Sequence, residues 1–290
     1  MFSRIKLNVR QAELEDRQKL ANLIHFEVYV HRHLDWRPPL DWLGNRPYVV
    51  AEKNGKIVAA LACPPDPPKV AWIRLFAISA NISIEKAWEA LWPEAREILN
   101  DLPHPTRVAA IPLQRWFQAV LVESDFDLTH RVVMLSWTPG RQALMERQDD
   151  LLIRPMNFDD LLEVEKIDNA AFGTVWQTSQ AGLELAFKQA AVATVVEDEG
   201  RLLGYQISTT TPMGGHLARL AIHPVAQGQG LGYSLLRDML SQFERRGAQA
   251  VTVNTQQDNL VSLSLYKKAG FRPTGEEYPV YQYSIRMDTD

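Results

Sequence analysis

Residues 220–232, LAIHPVAQGQGLG, decide the fold of this chain. An apolar run ends at a proline, and three glycines within five residues precede a stretch whose apolar residues recur at helical spacing. Glycine has no Cβ, so such a loop can turn tightly and approach a ligand closely. The free N–H groups and the dipole at a helix start favour an anion. The sequence therefore predicts a strand, a glycine loop and a helix that bind a pyrophosphate, with a plain strand-to-helix turn as the alternative.

Two familiar phosphate loops fit this stretch poorly. A Walker loop needs Gly-Lys-Ser/Thr, which does not follow the glycines. A Rossmann fingerprint has another glycine spacing and belongs to the first strand of its domain, whereas these glycines come late in theirs.

The chain also repeats its pattern at an offset of about 145 residues. Each half is predicted to run strand, helix, hairpin, strand, helix, strand, helix and strand. We therefore expect two domains of one fold, over 1–145 and 150–290, joined by a polar link at 141–150 that is itself partly helical. The matching segments are 9–11 with 153–155, 52–56 with 197–201, 74–75 with 219–220, and 124–126 with 269–271.

Composition excludes several classes of protein. The 290 residues are 46% hydrophobic and 23% charged, with a net charge of −4 and one cysteine. These values exclude a disordered chain, a coiled coil and a disulfide scaffold, and the lack of basic runs argues against nucleic acid as a partner. With no membrane-spanning run and no signal sequence, a cytoplasmic protein without a membrane partner is expected. His31 and His33 lack a third ligand, so no metal site is expected.

The glycine loop resembles a known signature. Residues 227–232, QGQGLG, are similar to the Gln/Arg-x-x-Gly-x-Gly/Ala motif of the GNAT superfamily of N-acetyltransferases. Residues 218–224 resemble the central strand of that superfamily, and residues 259–271, NLVSLSLYKKAGF, resemble its Asn…Leu-Tyr…Gly-Phe segment. The resemblance implies an α/β (α+β) class, with two tandem GNAT folds that are each a mixed, strongly twisted sheet flanked by helices.

The resemblance also implies acetyl-CoA, or another acyl-CoA such as succinyl-CoA, as the donor. The pantetheine arm would pair with the exposed backbone around Leu220 and Ile222, and the amide of Ile222 would stabilise the oxyanion. The residues implied to contact the donor are Leu220, Ala221, Ile222, Gln227, Gly228, Gln229, Gly230, Leu231, Gly232, Asn254, Asn259, Ser262 and Tyr266.

The resemblance implies catalysis by a general acid and a general base. Tyr266 takes the place of the general acid that protonates the leaving thiolate, with a core aromatic as the alternative. His216 is the candidate base, because histidine titrates near neutral pH. The glutamate base of the ribosomal alanine acetyltransferases is replaced by Thr252, and release of the proton through water is the alternative. Trp176 is a candidate wall of the acceptor pocket, whereas Glu163, Glu165 and Glu184 are expected to be surface charges.

The first half lacks these features. The residues at the glycine loop positions include Ile82 and Glu85, and Leu121 stands in place of the tyrosine. We therefore expect a degenerate GNAT-like domain followed by a catalytic one. The predicted function is transfer of an acetyl group from acetyl-CoA to a primary amine by a monomer or homodimer, and the alternative is a non-catalytic acyl-CoA sensor.

Overall fold

The computed structural model describes residues 7–104, 106–140 and 152–285. The predicted partly helical link at 141–150 lies outside these residues. The chain divides into two compact units, the first formed by Met1–Thr129 with Pro279–Asp290 and the second by His130–Tyr278. No helix within the described ranges is long and apolar enough to cross a bilayer.

The described part of the first unit has a five-stranded sheet, further paired strands and three α-helices. The sheet has the order β1-β3-β4-β6-β2, and β5 pairs in parallel with β7. The helices α2 and α3 cover one apolar face, and α1 covers another. The elements are β1 Asn8–Gln11, α1 Arg17–Phe26, β2 Tyr29–Arg32, β3 Tyr48–Lys53, β4 Lys56–Ala62, β5 Val70–Trp72, β6 Leu75–Ile78, α2 Ile84–Asn100, β7 Arg107–Ala110 and α3 Arg115–Glu123.

The second unit is built on a mixed sheet with the order β9-β10-β11-β12-β13-β8. Apolar residues of the α6 face, including Leu236, Leu240 and Phe243, pack on Val251 and Val253 of the sheet. The elements are β8 Asp127–Trp137, β9 Leu152–Pro155, α4 Leu161–Ala171, α5 Gln180–Lys188, β10 Val192–Asp198, β11 Arg201–Thr211, β12 Gly214–Ile222, α6 Leu231–Arg245, β13 Ala250–Gln256, α7 Leu260–Lys268 and β14 Arg272–Ser284.

The two halves of the sequence exchange their last strands. Strand β8 belongs to the first half, but its residues Val132–Trp137 pair antiparallel with β13 of the second unit. Strand β14 ends the second half, but its residues Tyr281–Ser284 pair with β7 of the first unit. The division at 145–150 follows chain order, and the compact units differ from it because the pairing partner of a strand is not encoded in its local pattern.

The internal repeat extends to individual ion pairs. The Arg10 guanidinium donates to both carboxylate oxygens of Asp16, at 2.6 and 2.9 Å, and to Glu52 at 2.6 Å. Arg154 makes the same contacts in the second unit, at 2.7 and 2.9 Å to Asp160 and 2.8 Å to Glu197. These hydrogen bonds lower the pKa of Asp16 from 3.8 to about 2. Each cluster joins the first strand, the first helix and the hairpin of its unit in the same way.

Candidate functional site

The central feature of the second unit is a pair of parallel strands that separate. Strands β12 and β13 pair only from Gly214–Leu217 to Ala250–Val253. Beyond these residues β12 stays paired with β11, and β13 stays paired with β8. The facing edges that follow, from Ala218 to Ile222 and from Asn254 to Gln256, therefore form a V-shaped opening whose backbone groups are available to an extended ligand.

The glycine loop lies at the end of β12, beside this opening. A short 3₁₀ turn at Pro224–Ala226 leads to Gly228 and to Gly230, whose φ values of +78° and +84° are left-handed and favour glycine. Gly230 is the N-cap of α6, and a Cβ added at Gly228 would meet open space. Intrahelical bonding begins with the Ser234 N–H and the Gly230 carbonyl at 3.1 Å, so the preceding N–H groups are free to bind an anion.

Helix α7 places the implied donor-binding side chains next to β13. The side chain of Asn259 caps this helix by accepting from the N–H of Ser262 at 3.1 Å, and its amide donates to Gln256 at 3.4 Å. Asn254 is exposed at the open edge of β13. The ring of Tyr266 is buried in the core of the unit, and this burial raises the pKa of its hydroxyl. The phenol therefore remains protonated at neutral pH.

His216 lies in the last paired stretch of β12, at the base of the opening. Its Nδ1 is 2.9 Å from the hydroxyl of Thr252, its direct neighbour on β13. The same hydroxyl lies 3.5 Å from the Gly215 carbonyl; when it donates to that carbonyl, its oxygen accepts from Nδ1–H and the lone pair of the ring is on Nε2. Burial lowers the pKa of His216, so the imidazole is neutral at pH 7 and can accept a proton.

A buried ionic network ties α4 to the strands on this side of the sheet. Asp168 has no exposed surface and accepts from the guanidinium of Arg219, with Nε at 2.8 Å, and from the hydroxyl of Tyr205. Its other oxygen accepts from the Thr178 N–H at 2.9 Å, and Arg219 also donates to the carbonyl of Trp176 at 2.9 Å. The network therefore fixes the segment after α4 against β11 and β12.

That segment carries Trp176 to one side of the opening. The Trp176 ring meets the ring of His130 edge-on, with centroids 5.9 Å apart. The buried Nδ1 of His130 has no hydrogen-bond partner among the described residues and lies 3.7 Å from a carboxylate oxygen of Asp258. An aromatic wall with one unsatisfied polar atom and an exposed carboxylate is a surface suited to a cationic or hydrogen-bonding ligand.

The corresponding opening of the first unit is filled by the protein itself. Strand β6 takes the place of the end of β12, and its edge from Leu75 to Ile78 is paired along its length with β2. Helix α2 starts with a serine N-cap at Ser83, followed by Glu85 in the first turn. A strand thus occupies the edge that would bind an extended ligand, and an acidic side chain replaces the glycines.

Comparison with known proteins identifies this arrangement. Residues 161–271 match the acetyltransferase (GNAT) family. The second half of the chain belongs to the GNAT family. The chain is also similar to a tandem GNAT protein from the clavulanic acid biosynthesis pathway, with a TM-score of 0.63 and 14% identity. This match covers 98% of this chain and 100% of that one. This likeness shows that the chain has a tandem GNAT fold.

Curated relatives of the second GNAT unit are N-acetyltransferases. One is a putative [ribosomal protein bS18]-alanine N-acetyltransferase from Bacillus subtilis, 28% identical over 42% of this chain and 82% of the relative. Another is a mycothiol acetyltransferase from Arthrobacter sp., 34% identical over 29% of this chain and only 28% of the relative. The predicted superfamily, the fold class and an acyltransferase enzyme are confirmed by these similarities, and acetyl-CoA is the general donor of the family.

The three glutamates expected to be surface charges have ordinary partners. Glu163 pairs with Lys166 at 2.8 Å, Glu165 caps the Gln180 N–H at 2.9 Å, and Glu184 lies 4.0 Å from Lys188. The sequence analysis did not identify Asp168, Tyr205 or His130 as parts of the site. The repeated arginine of the 74–75 and 219–220 segments was the available signal, because Arg74 is buried and paired with a carboxylate as Arg219 is.

Proposed function

We propose that the second unit transfers an acetyl group from acetyl-CoA directly to a primary amine. The separation of β12 from β13 beside a glycine loop carries this proposal, because it offers an unpaired strand edge for an extended ligand and, next to it, a site for an anion. The exposed backbone of Leu220 and Ile222 would bind the pantetheine arm, and the N–H groups from Gly228 to Gly232 would bind the pyrophosphate. Acetyl-CoA supplies an activated acyl thioester whose thiolate leaves.

The proposed reaction uses a general base, a general acid and one backbone N–H that stabilises the oxyanion. The N–H of Ile222 donates to the oxygen that becomes negative. His216 lies six residues earlier on β12, about 20 Å away, so the proton of the attacking amine reaches its Nε2 through water. The Tyr266 hydroxyl then donates its proton to the departing sulfur. The neutral form of each group, set by the pKa directions above, is the form that its step requires.

The acceptor would lie against the wall formed by Trp176 and His130. An ammonium group is attracted both by the face of an indole ring and by the carboxylate of Asp258. An amine N–H can also donate to the unsatisfied Nδ1 of His130. The buried Asp168–Arg219 pair acts as a positioning element, since it holds the backbone that carries Trp176.

Titration of the full chain with acetyl-CoA by calorimetry tests donor binding. We expect one site per chain and its loss in Gly230→Glu, because a Glu side chain at the N-cap of α6 repels the pyrophosphate. Gly247→Glu is the matched control, since Gly247 also has a left-handed φ, of +76°, and lies at the other end of the same helix. Two sites per chain would contradict a degenerate first unit, and absence of binding at about 1 mM donor would contradict the proposal.

Turnover tests the role of the tyrosine. Tyr266→Phe is expected to lower kcat severalfold to about 100-fold at unchanged acetyl-CoA affinity, because only the proton donor is removed. The measurement is release of the CoA thiol with a panel of primary amines, including a peptide with an N-terminal alanine. Tyr281→Phe removes a tyrosine hydroxyl from the first unit and should leave kcat unchanged. Equal rates for Tyr266→Phe and the native chain would exclude Tyr266 as the acid, and acetyl-CoA binding without turnover would favour the sensor alternative.

A further inference from the structure

The first unit contains a cleft that the acetyltransferase site does not use. It has a volume of about 560 Å³, within the usual range of small-molecule sites. One face of α1 forms a wall, the hairpin between β3 and β4 forms another, and the segment after β6 closes the end. The apolar floor includes Leu23 and Val58, both buried, and Phe26 stands at the rim with 75% of its surface exposed.

The cleft carries an excess of positive charge. Lys19, Lys53 and Lys56 line it, against the single carboxylate of Glu27, and Lys19 also lies 3.7 Å from a carboxylate oxygen of Asp16. Glu27 already accepts from the Ala80 N–H at 3.1 Å. Within the described ranges, Lys53 and Lys56 have no ion-pair partner. These two lysines are also direct cross-strand neighbours, an arrangement of like charges that destabilises a hairpin.

The second unit shows that the fold does not require this charge. At the positions that match the two hairpin lysines, Asp198 lies directly across from Arg201. At the helix positions the two units agree, because Lys19 lies 3.7 Å from Asp16 as Glu163 pairs with Lys166. The hairpin is thus neutralised within the second unit and is left basic in the first. A pair of like charges retained at a cost in stability indicates an anionic ligand.

The chemistry of the lining specifies the class of anion. The ammonium groups of Lys53 and Lys56, with that of Lys19 beside them, suit the negative charge of a diphosphate. The amides of Asn22, Asn54 and Asn81 supply neutral hydrogen bonds. The exposed ring of Phe26 offers a stacking surface for a flat base. We infer that this cleft of the first unit binds a nucleoside diphosphate. The inference is independent of acetyl transfer by the second unit.

Titration of the full chain carrying Gly230→Glu with ADP tests the site, because acetyl-CoA contains an adenosine diphosphate group and ADP can otherwise enter the donor site of the second unit as well. We expect Lys56→Glu to weaken ADP binding at least about tenfold, because one charge-assisted contact is lost and a repulsive one is gained. The same variant should have a higher melting temperature without ligand, since it creates an opposite-charge pair with Lys53. Lys86→Glu is the matched control, because Lys86 is exposed on α2 of the same unit and does not line the cleft. Its ADP affinity should be unchanged.

Two further experiments distinguish binding of the base from binding of the diphosphate, and the site in the first unit from that in the second. Phe26→Ala should weaken binding of ADP and leave binding of inorganic pyrophosphate unchanged, because only the base stacks on the ring. Gly230→Glu should leave ADP bound at the cleft, because it removes only the pyrophosphate site proposed in the second unit. Absence of ADP binding by the Gly230→Glu chain at about 1 mM, or equal ADP affinity of that chain with and without Lys56→Glu, would each overturn the inference.

Discussion

Asp168→Ala is expected to lower the free energy of unfolding of the second unit by about 3–5 kcal/mol. The side chain of Asp168 is fully buried and accepts hydrogen bonds from Arg219, from Tyr205 and from the Thr178 N–H. Without it the guanidinium of Arg219, only 15% exposed, keeps two uncharged acceptors, the carbonyl of Trp176 and the hydroxyl of Tyr205. An uncompensated buried cation is the reason for the size of the effect. Urea denaturation followed by circular dichroism measures it.

Two controls separate the buried charge from simple loss of contacts. Asp168→Leu combined with Arg219→Met removes both charges and should cost much less than Asp168→Ala alone, because apolar side chains of similar size replace a buried pair at little cost. Glu163→Ala breaks an exposed pair on the same helix and should cost under about 0.5 kcal/mol. A cost below about 1 kcal/mol for Asp168→Ala would show that water reaches Arg219 and that the network does not anchor the segment of Trp176.

A fragment of residues 150–290 is expected neither to unfold cooperatively nor to bind acetyl-CoA. It contains the whole family signature but lacks β8, the antiparallel neighbour of β13 over six residue pairs. Leu135 and Trp137 of β8 are 3% and 2% exposed and belong to the same core as Tyr266. Removal of each large core side chain costs about 2–5 kcal/mol, so the combined loss is comparable to the stability of a domain.

A fragment that begins at residue 127 is the matched control. It retains β8, so we expect it to keep more of the secondary structure and core of the second unit than 150–290 does. Circular dichroism, urea denaturation and calorimetry with acetyl-CoA on both fragments provide the measurement. Cooperative unfolding of 150–290 with the same midpoint as 127–290 would show that β8 contributes nothing to the second unit.

Local sequence was sufficient for the parts of the site that depend on neighbours in the chain. The glycines at 228 and 230 predict a tight loop before a helix, and they have the left-handed φ values that such a loop needs. The repeat at about 145 residues predicts two similar folds, and the paired clusters around Arg10 and Arg154 show the same contacts in each. The glycine loop forms within a short segment, and the repeat places the same residue types at the same spacing in both halves. Both features can therefore be predicted from the spacing and type of residues along the chain.

Only the tertiary structure decided which strands become neighbours. Local pattern gives the period of a strand but not its partner, so it does not show that β8 completes the second unit or that β2 fills the opening of the first. The same limit applies to Asp168, whose partners lie 37 and 51 residues away in the chain. The sequence by itself determined the glycine loop and the duplication, whereas strand exchange and the buried network arise from long-range pairing in the folded chain.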